Sequence, residues 1–466
     1  MSTHPTALGI AADVRAGKVK AASIAQDTLA RITTGGDSYK AFTAVTQERA
    51  LAQAHAVDAA VAAGRDPGVL AGVPFAVKNL FDVAGHVTLA GSRINAAHAA
   101  ALTDATQVRR LCDAGAVLVG MLNMDEYAYG FTTENAHYGT TRNPHALDRI
   151  AGGSSGGCGA AVAAGLTPLA LGSDTNGSIR VPSALCGIYG LKPTYGRLSR
   201  AGTFPFVGSL DHVGPFASTV ADLAAVYDVM QGADERDPMC AQRALEPLSA
   251  QLSLGIDGLR VGLLAGYFEQ NASEAAWQAV AHAAHTMGVS HEVVWPEVER
   301  ARAAAFIITA AEGGQLHLPH LKTCREAFGP LVRDRLTAGA LIPAAWYLQA
   351  QRVRRWFSQR VRETFQSFDV LLAPATPCAA TVTGQETMVI RGREMPLRPN
   401  MGVLTQPMSF IGLPVVAAPL AVRSGMPLGM QIVAPAWRED WCLRVAAALE
   451  QRGLLVAKHP SPKTCA

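Results

Sequence analysis

Residues 152–180 read GGSSGGCGAAVAAGLTPLALGSDTNGSIR. The run Gly152–Gly157 alone has the composition of a flexible linker. Its context argues otherwise, because Cys158–Ala164 follows at once and side chains that small suit a helix packed tightly on a sheet. A Gly-rich turn opening a helix presents free backbone N–H groups, which suit an anion or an oxyanion. The apolar run Pro168–Gly172 then reads as a strand. Ser178 therefore falls in a strand-to-helix turn, where Gly177 permits close backbone approach. In such a turn the N–H groups of Thr175, Asn176, Gly177 and Ser178 can converge as an oxyanion hole, and losing one donor of that kind costs about 10²–10³ in rate. The plain alternative is an Asp/Asn/Gly turn without chemistry.

Outward from this stretch, Val73–Val77 and Val117–Val119 are short apolar runs bounded by Gly, each beside a helical stretch such as Ala105–Ala114. Strands alternating with helices predict an α/β fold with a largely parallel or mixed sheet. Residues 5–32 and 43–64 read as two amphipathic helices, the second broken by Gly64 and Pro67. Beyond the motif, helices are expected at 221–231, 273–287, 299–311, 343–366 and 439–452. Strands are expected at Arg260–Leu264, Val370–Leu372, Val415–Ala418 and Met430–Val433, and Gly232–Asp237 reads as a polar turn. With no internal repeat or low-complexity linker, residues 1–466 read as one domain, with 222–345 a helix-rich lobe around the mouth of the site.

Composition narrows the function. The chain is 49% hydrophobic and 17% charged, as a well-buried globular enzyme is. A net charge of +3 gives no field to hold a nucleic acid. The densest basic stretch, Arg352, Arg354, Arg355, Arg360 and Arg362, alternates with apolar residues and reads as the solvated face of a helix. The eight cysteines, at 112, 158, 186, 240, 324, 378, 442 and 465, form no C-x-x-C motif or disulfide framework, which suits a cytoplasmic protein with reduced thiols. No secretory h-region and no membrane-length apolar run are found.

Lys78 ends the stretch Val73-Pro74-Phe75-Ala76-Val77-Lys78-Asn79. A strand-end lysine commonly reaches solvent, but burial against apolar neighbours lowers its pKa and makes the amine a base. A serine hydroxyl needs such a neighbour to become nucleophilic. Together, G-V-P-F-A-V-K (72–78), G-G-S-S-G-G (152–157) and D-T-N-G-S-I-R (174–180) resemble the amidase-signature family. The resemblance runs on through Asn123-Met124-Asp125-Glu126, Thr133-Glu134-Asn135, Gly190–Arg197, Ser209–Pro215 and Gly412-Leu413-Pro414, so it covers nearly the whole chain in order. It implies a large mixed, twisted sheet covered on both faces by helices, and no cofactor or metal. It further implies a cis peptide bond at Gly153–Ser154 and a Ser–cis-Ser–Lys relay, in which Ser178 is the nucleophile, Ser154 the bridge and neutral Lys78 the terminal base. An acyl-enzyme forms and water hydrolyses it. Ser155 is expected to support the relay, and Asp174 with Arg180 to form an ion pair that fixes the nucleophile turn. One departure is visible: the family usually has Gly where this chain has Asn176.

Further stretches, among them Asn123–Asn135, Asp174–Ser178, Ala311–Leu318, Trp346–Arg352 and Leu404–Pro407, resemble the branch of the family that hydrolyses 1-carboxybiuret, which implies a small carboxylated urea or biuret cleaved with release of ammonia. The A-type subunits of the family's tRNA amidotransferases are a second comparison. They hold an amino-acid carboxylate with an Arg, matched here by Arg335, and an α-amine with an Asp, matched here by Gly402. Keeping the first and losing the second suits a carboxylated substrate without an α-amine, since a guanidinium grips a carboxylate bidentately. Tyr129, Phe131 and Thr132 are the other pocket candidates. Both branches work with a small helical partner, so a homo- or hetero-oligomer with an accessory subunit is expected. Among the alternatives, Gly152–Gly156 fits the G-x-S-x-G elbow of an α/β-hydrolase, but the residues before it, Asn143–Arg149, read as a loop. His282/His285 and His317/His320 have i, i+3 spacing but no acidic ligand beside them. A purely structural role, as the scaffold of an amidotransferase-like complex, would leave Lys78, Ser154 and Ser178 without purpose.

Overall fold

The computed structural model describes residues 5–422 and 425–460; Met1–His4 and Cys465 lie outside them. An eleven-stranded mixed sheet forms the centre. From one edge the strands are Phe42–Val45, Val117–Leu122, Pro74–Lys78, Leu169–Asp174, His212–Ala217, Tyr189–Lys192, Val415–Pro419, Gly429–Val433, Val370–Pro374, Val261–Leu264 and Glu292–Val293. Pro74–Lys78 lies parallel to both its neighbours, whereas the run from Leu169–Asp174 to Val370–Pro374 is antiparallel throughout.

Successive strand residues face opposite sides of a sheet. Leu169–Asp174, His212–Ala217, Val415–Pro419 and Gly429–Val433 are buried at every position, so both faces are covered. Among the covering helices, Gly156–Ala163 packs on the strands Leu169–Asp174, Pro74–Lys78 and His212–Ala217. All eight of its residues are buried, as its tiny side chains require of a helix lying close against a sheet.

Several elements differ from the sequence-based expectation. Residues 5–32 form two helices, Ala7–Arg15 and Ala21–Gly35, because Gly17 turns the chain at φ +69°. The stretch 43–64 begins as an edge strand, Phe42–Val45, before the helix Gln47–Ala62, since this short segment finds an antiparallel partner in Val117–Leu122. The helix expected at 299–311 continues to Thr323. Gly313 and Gly314 lie inside it because it packs very closely on Pro330–Ala340: a Cβ at Gly314 would stand 2.3 Å from Ala340 N, and one at Gly339 would stand 2.0 Å from Ala310 O. Arg354, expected on a solvated face, instead braces the end of the helix Gln406–Phe410 through Phe410 O (2.6 Å) and a loop through Ser209 O (2.9 Å). Asn143–Arg149 is not a loop but part of a hairpin, Arg142–Asn143 with Ala146–Ile150. That hairpin stands outside the main sheet, so the segment entering Gly152–Gly156 is not the core strand an α/β-hydrolase elbow requires.

Among the described residues no helix is long and apolar enough to cross a membrane. None of the described cysteines is paired in a disulfide.

Candidate active site

Lys78 ends a strand whose five residues are all buried, and its side chain is 0% exposed. Its Nζ lies 2.7 Å from Ser154 Oγ and 2.9 Å from Ser173 Oγ. Both partners are neutral hydroxyls. Burial is the dominant influence on the amine and pushes its pKa down to about 8, against partial opposition from the more distant Cys158, Asp125, Asp211 and Asp174. An amine in that range exchanges a proton with a hydroxyl far more readily than an ordinary lysine does. Burial pushes the Cys158 thiol up to about 12, so it remains a thiol rather than a competing nucleophile.

Ser154 follows a cis peptide bond from Gly153. Its carbonyl accepts from Asp125 N at 3.1 Å, and the Asp125 carboxylate accepts from Thr133 N at 3.0 Å. Gly153 has no room for a side chain, since a Cβ would lie 2.1 Å from Asp125 Oδ2. The loop 123–133 thus moulds the Gly/Ser run from outside. Ser155 Oγ donates to Ser173 O at 3.1 Å, which ties the run to the strand that bears Ser173.

That strand delivers the second half of the site. After Asp174 the chain turns through 175–178 into the helix Arg180–Cys186. Asp174 and Arg180 are both fully buried and form a bidentate pair, with Nε–Oδ2 and Nη2–Oδ1 both 3.0 Å. Arg180 also donates to Thr405 O (2.9 Å), Gln431 Oε1 (2.7 Å) and Ser409 Oγ. Asp174 Oδ2 accepts from Ile179 N at 3.1 Å. Burial by itself would raise the Asp174 pKa, but the Arg180 charge and hydrogen bonds outweigh it and hold the carboxyl far below the usual range. The turn is pinned twice more, by Thr175 Oγ1 to Asp211 Oδ1 (2.6 Å) and by Thr405 Oγ1 to Asn176 O (2.6 Å). Gly177 sits at φ +144°, and a Cβ there would meet Thr405 Oγ1 at 2.1 Å. Only glycine fits.

None of the N–H groups of residues 175–178 donates to another described residue. They are therefore available to charge developing on a bound carbonyl. Ser178 is 2% exposed, and no hydrogen bond joins its Oγ to Ser154 in this structure. The structure thus joins Lys78 to Ser154 directly and gives Ser178 Oγ no hydrogen-bond partner among the described residues. Hydrogen bonds of this kind commonly tighten only in the substrate complex.

Ser178 opens onto a narrow cavity of about 20 Å³, lined with Thr175 and Asn176 from its own turn. Tyr129 and Phe131 form another wall, while Phe306, Thr309 and Arg335 come from the helices Val298–Thr323 and Pro330–Ala340. Arg335 is the one charged residue in this lining. Its guanidinium lies 3.5 Å over the Tyr129 ring and donates to Tyr129 O at 2.9 Å. Thr132 lines an adjoining cavity of about 380 Å³ rather than this one, and its Oγ1 accepts from Arg398 at 3.3 Å. Phe131 takes the space in front of Gly402, where a Cβ would lie 2.3 Å from its ring. Among the described residues no group of three His, Cys, Asp or Glu side chains is placed to hold a metal ion. His317 packs tilted against Tyr127, at 4.0 Å between ring centroids.

The sequence reading missed Ser173, Thr309 and Gln406. Ser173 meets Lys78 only through the parallel pairing of Pro74–Lys78 with Leu169–Asp174. Thr309 and Gln406 reach the cavity from distant elements, the second from within the Leu404–Pro407 stretch.

The family profile described as Amidase matches residues 23–443. The chain is 54% identical over 443 residues to AtzE, the 1-carboxybiuret hydrolase subunit of Pseudomonas sp. (strain ADP), covering 95% of this chain and 97% of the relative. It is 37% identical over 463 residues to a glutamyl-tRNA(Gln) amidotransferase subunit of Roseiflexus sp. (strain RS-1), 93% of each chain. A solved structure described as a vestigial protein complex that reveals the evolutionary origins of an s-triazine catabolic enzyme superposes with a TM-score of 0.96. It is 53% identical, over 97% of this chain and 100% of that one. With the Gly/Ser run, the buried lysine and the turn that holds Ser178 gathered around one sheet, these likenesses settle the family: the chain belongs to the amidase-signature hydrolases, enzymes that act on amide C–N bonds.

Proposed function

We propose that this amidase cleaves a small carboxylated urea of the 1-carboxybiuret type, releasing ammonia through an acyl-enzyme on Ser178. The observation that carries the substrate class is the cavity wall: the nucleophile faces a pocket whose one charged lining residue is Arg335. Among the described residues, only one of that guanidinium's five N–H groups is taken, at Tyr129 O. The remainder suit a carboxylate, and the Tyr129 ring beneath fixes the plane in which they are offered. The 54% identity to the 1-carboxybiuret hydrolase subunit supports the same class.

In the proposed reaction Ser178 Oγ attacks the carbonyl carbon while its proton passes to Ser154, whose own proton passes to neutral Lys78. The N–H groups of 175–178 stabilise the oxyanion. As the C–N bond breaks, the relay returns the proton to the leaving nitrogen, and ammonia departs. Water then attacks the acyl carbonyl by the same route, freeing Ser178. Ser173 holds the Lys78 amine from its second side.

The tRNA amidotransferase reading is weakened by Phe131, whose ring fills the space that an amine-binding side chain at 402 would need. A small helical accessory subunit is proposed on two grounds. The AtzE relative is named a subunit. In this chain the joint between the helices Pro330–Ala340 and Ala344–Thr364 exposes Leu341, Trp346 and Leu348, apolar surface of the kind a partner covers.

Ammonia release over a panel of carboxybiuret, biuret, allophanate, simple amides and misacylated tRNA tests the assignment. The carboxylated ureas are expected to give the highest kcat/KM. Preference for a neutral amide or for the tRNA would overturn it.

A further inference from the structure

Asn176 stands where the resemblance leads one to expect glycine, so its side chain is an addition to the nucleophile turn. It is 6% exposed and lines the cavity with Ser178. Its two polar ends are treated differently. Nδ2 donates to Thr309 Oγ1 at 2.9 Å. Oδ1 is sealed from solvent and has no hydrogen-bond partner among the described residues. A buried carbonyl oxygen without a donor is costly, and the cost disappears when a ligand supplies the donor. Thr309 holds the carboxamide at its Nδ2 end, and Thr405 Oγ1 donates to the main-chain carbonyl of the same residue at 2.6 Å.

We infer that Asn176 Oδ1 accepts a hydrogen bond from an N–H on the acyl side of the scissile bond, so that the enzyme selects ureas and biurets over amides whose corresponding position is carbon or alkylated nitrogen. This rests on the carboxylated-urea reading above and adds a specificity-determining residue to it. The side of the bond follows from the layout. In the proposed reaction the relay hands its proton to the leaving nitrogen, so that nitrogen lies on the side of Ser154 and Lys78, neither of which lines the cavity. Asn176 shares its wall with Thr309 and Arg335, where the retained part of the substrate sits. In a carboxylated biuret that part carries both features in one small unit, a carboxylate for Arg335 and an N–H for Asn176.

The test compares kcat/KM for a carboxylated biuret and for its analogue N-methylated beside the scissile carbonyl. Biuret and the matching N-methylbiuret serve as a second pair without the carboxylate. Three proteins are used: wild type, Asn176→Asp, which keeps the acceptor, and Asn176→Leu, which keeps the shape without it. Because the intrinsic reactivities of each pair are common to all three proteins, only the change in preference is read. Wild type is expected to prefer the N–H compound by about 10–100-fold, the range of one buried hydrogen bond made or missed. Asn176→Asp is expected to keep that preference, and Asn176→Leu to lose it because turnover of the N–H compound falls by more than that of its N-methylated analogue. An undiminished preference in Asn176→Leu would make the effect steric and overturn the inference, as would its equal loss in both variants. If only the pair without the carboxylate is hydrolysed, the substrate class falls while the role of Asn176 is decided on that pair. If neither pair is hydrolysed, both fall.

Discussion

Replacing Lys78 by Met separates the cost of burying its amine from the use made of it. Burial lowers the pKa from 10.5 to about 8, and at 1.36 kcal/mol per unit that shift corresponds to about 3 kcal/mol of destabilisation at pH 7. The sign follows from proton counting. Between about pH 8 and 10.5 the unfolded chain binds the proton that the folded chain has lost, so stability rises with pH across that window. Below about 8 both states are protonated and the cost is present in full. Lys78→Met removes this pH-dependent cost. In exchange, Ser154 and Ser173 lose a partner, at about 1–3 kcal/mol that does not vary with pH. The Met variant is therefore expected at about equal or greater stability at pH 7. The decisive quantity is the stability of wild type minus that of the variant, which should climb by about 2 kcal/mol between pH 7 and 9.5. Urea unfolding of both proteins at the two pH values measures it, and groups common to both cancel. The same amine should give wild-type kcat/KM an acid limb that rises about tenfold per pH unit and levels near pH 8. A stability difference flat across this range, or activity unchanged in Lys78→Met, would refute the reasoning.

Three other substitutions probe separate parts of the site. Arg180→Met leaves Asp174 buried without its cation and should cost about 3–5 kcal/mol in urea unfolding, with loss of activity as the nucleophile turn loosens. Arg335→Met should raise KM for carboxylated substrates by about 10–100-fold, as expected for a charge-assisted hydrogen bond, while neutral amides change little; an equal loss on neutral amides in steady-state kinetics would deny it a carboxylate-reading role. Gly402→Ala forces a methyl against the Phe131 ring and should destabilise by about 1–3 kcal/mol in thermal or urea unfolding, with Phe131→Ala in the same chain relieving the clash. Additive losses in that double variant would show that the two positions do not compete for space.

The chemistry of this chain is largely legible in local strings, because its demands on the backbone are local. A Gly/Ser run before a helix of tiny residues, and Asp and Arg flanking the turn at 174 and 180, are marked by their sequence neighbours, although the close approaches that require glycine at 153 and 177 come from Asp125 and Thr405. The alternation of strands and helices around 74, 117 and 169 is visible for the same reason. The antiparallel middle of the sheet is less so: Tyr189–Lys192 and His212–Ala217 are buried on both faces, and a fully buried strand has no polar alternation to mark it. The pocket wall is the least legible. Asn176 meets Thr309 across 133 residues, Arg335 meets Tyr129 across 206, and Phe131 fits against Gly402 only because two distant segments are packed together. Long-range pairings of that kind are decided by helix packing and strand register, which the local pattern does not encode.

The account depends most on the identity of the nucleophile. Incubating the enzyme with a serine-directed fluorophosphonate, then mapping the modified peptide by mass spectrometry, reads it directly. One adduct on Ser178 is predicted, formed in step with loss of activity, absent from Ser178→Ala, and slowed in Lys78→Met and Ser154→Ala. An adduct on another residue, or full inactivation with Ser178 unmodified, would contradict it.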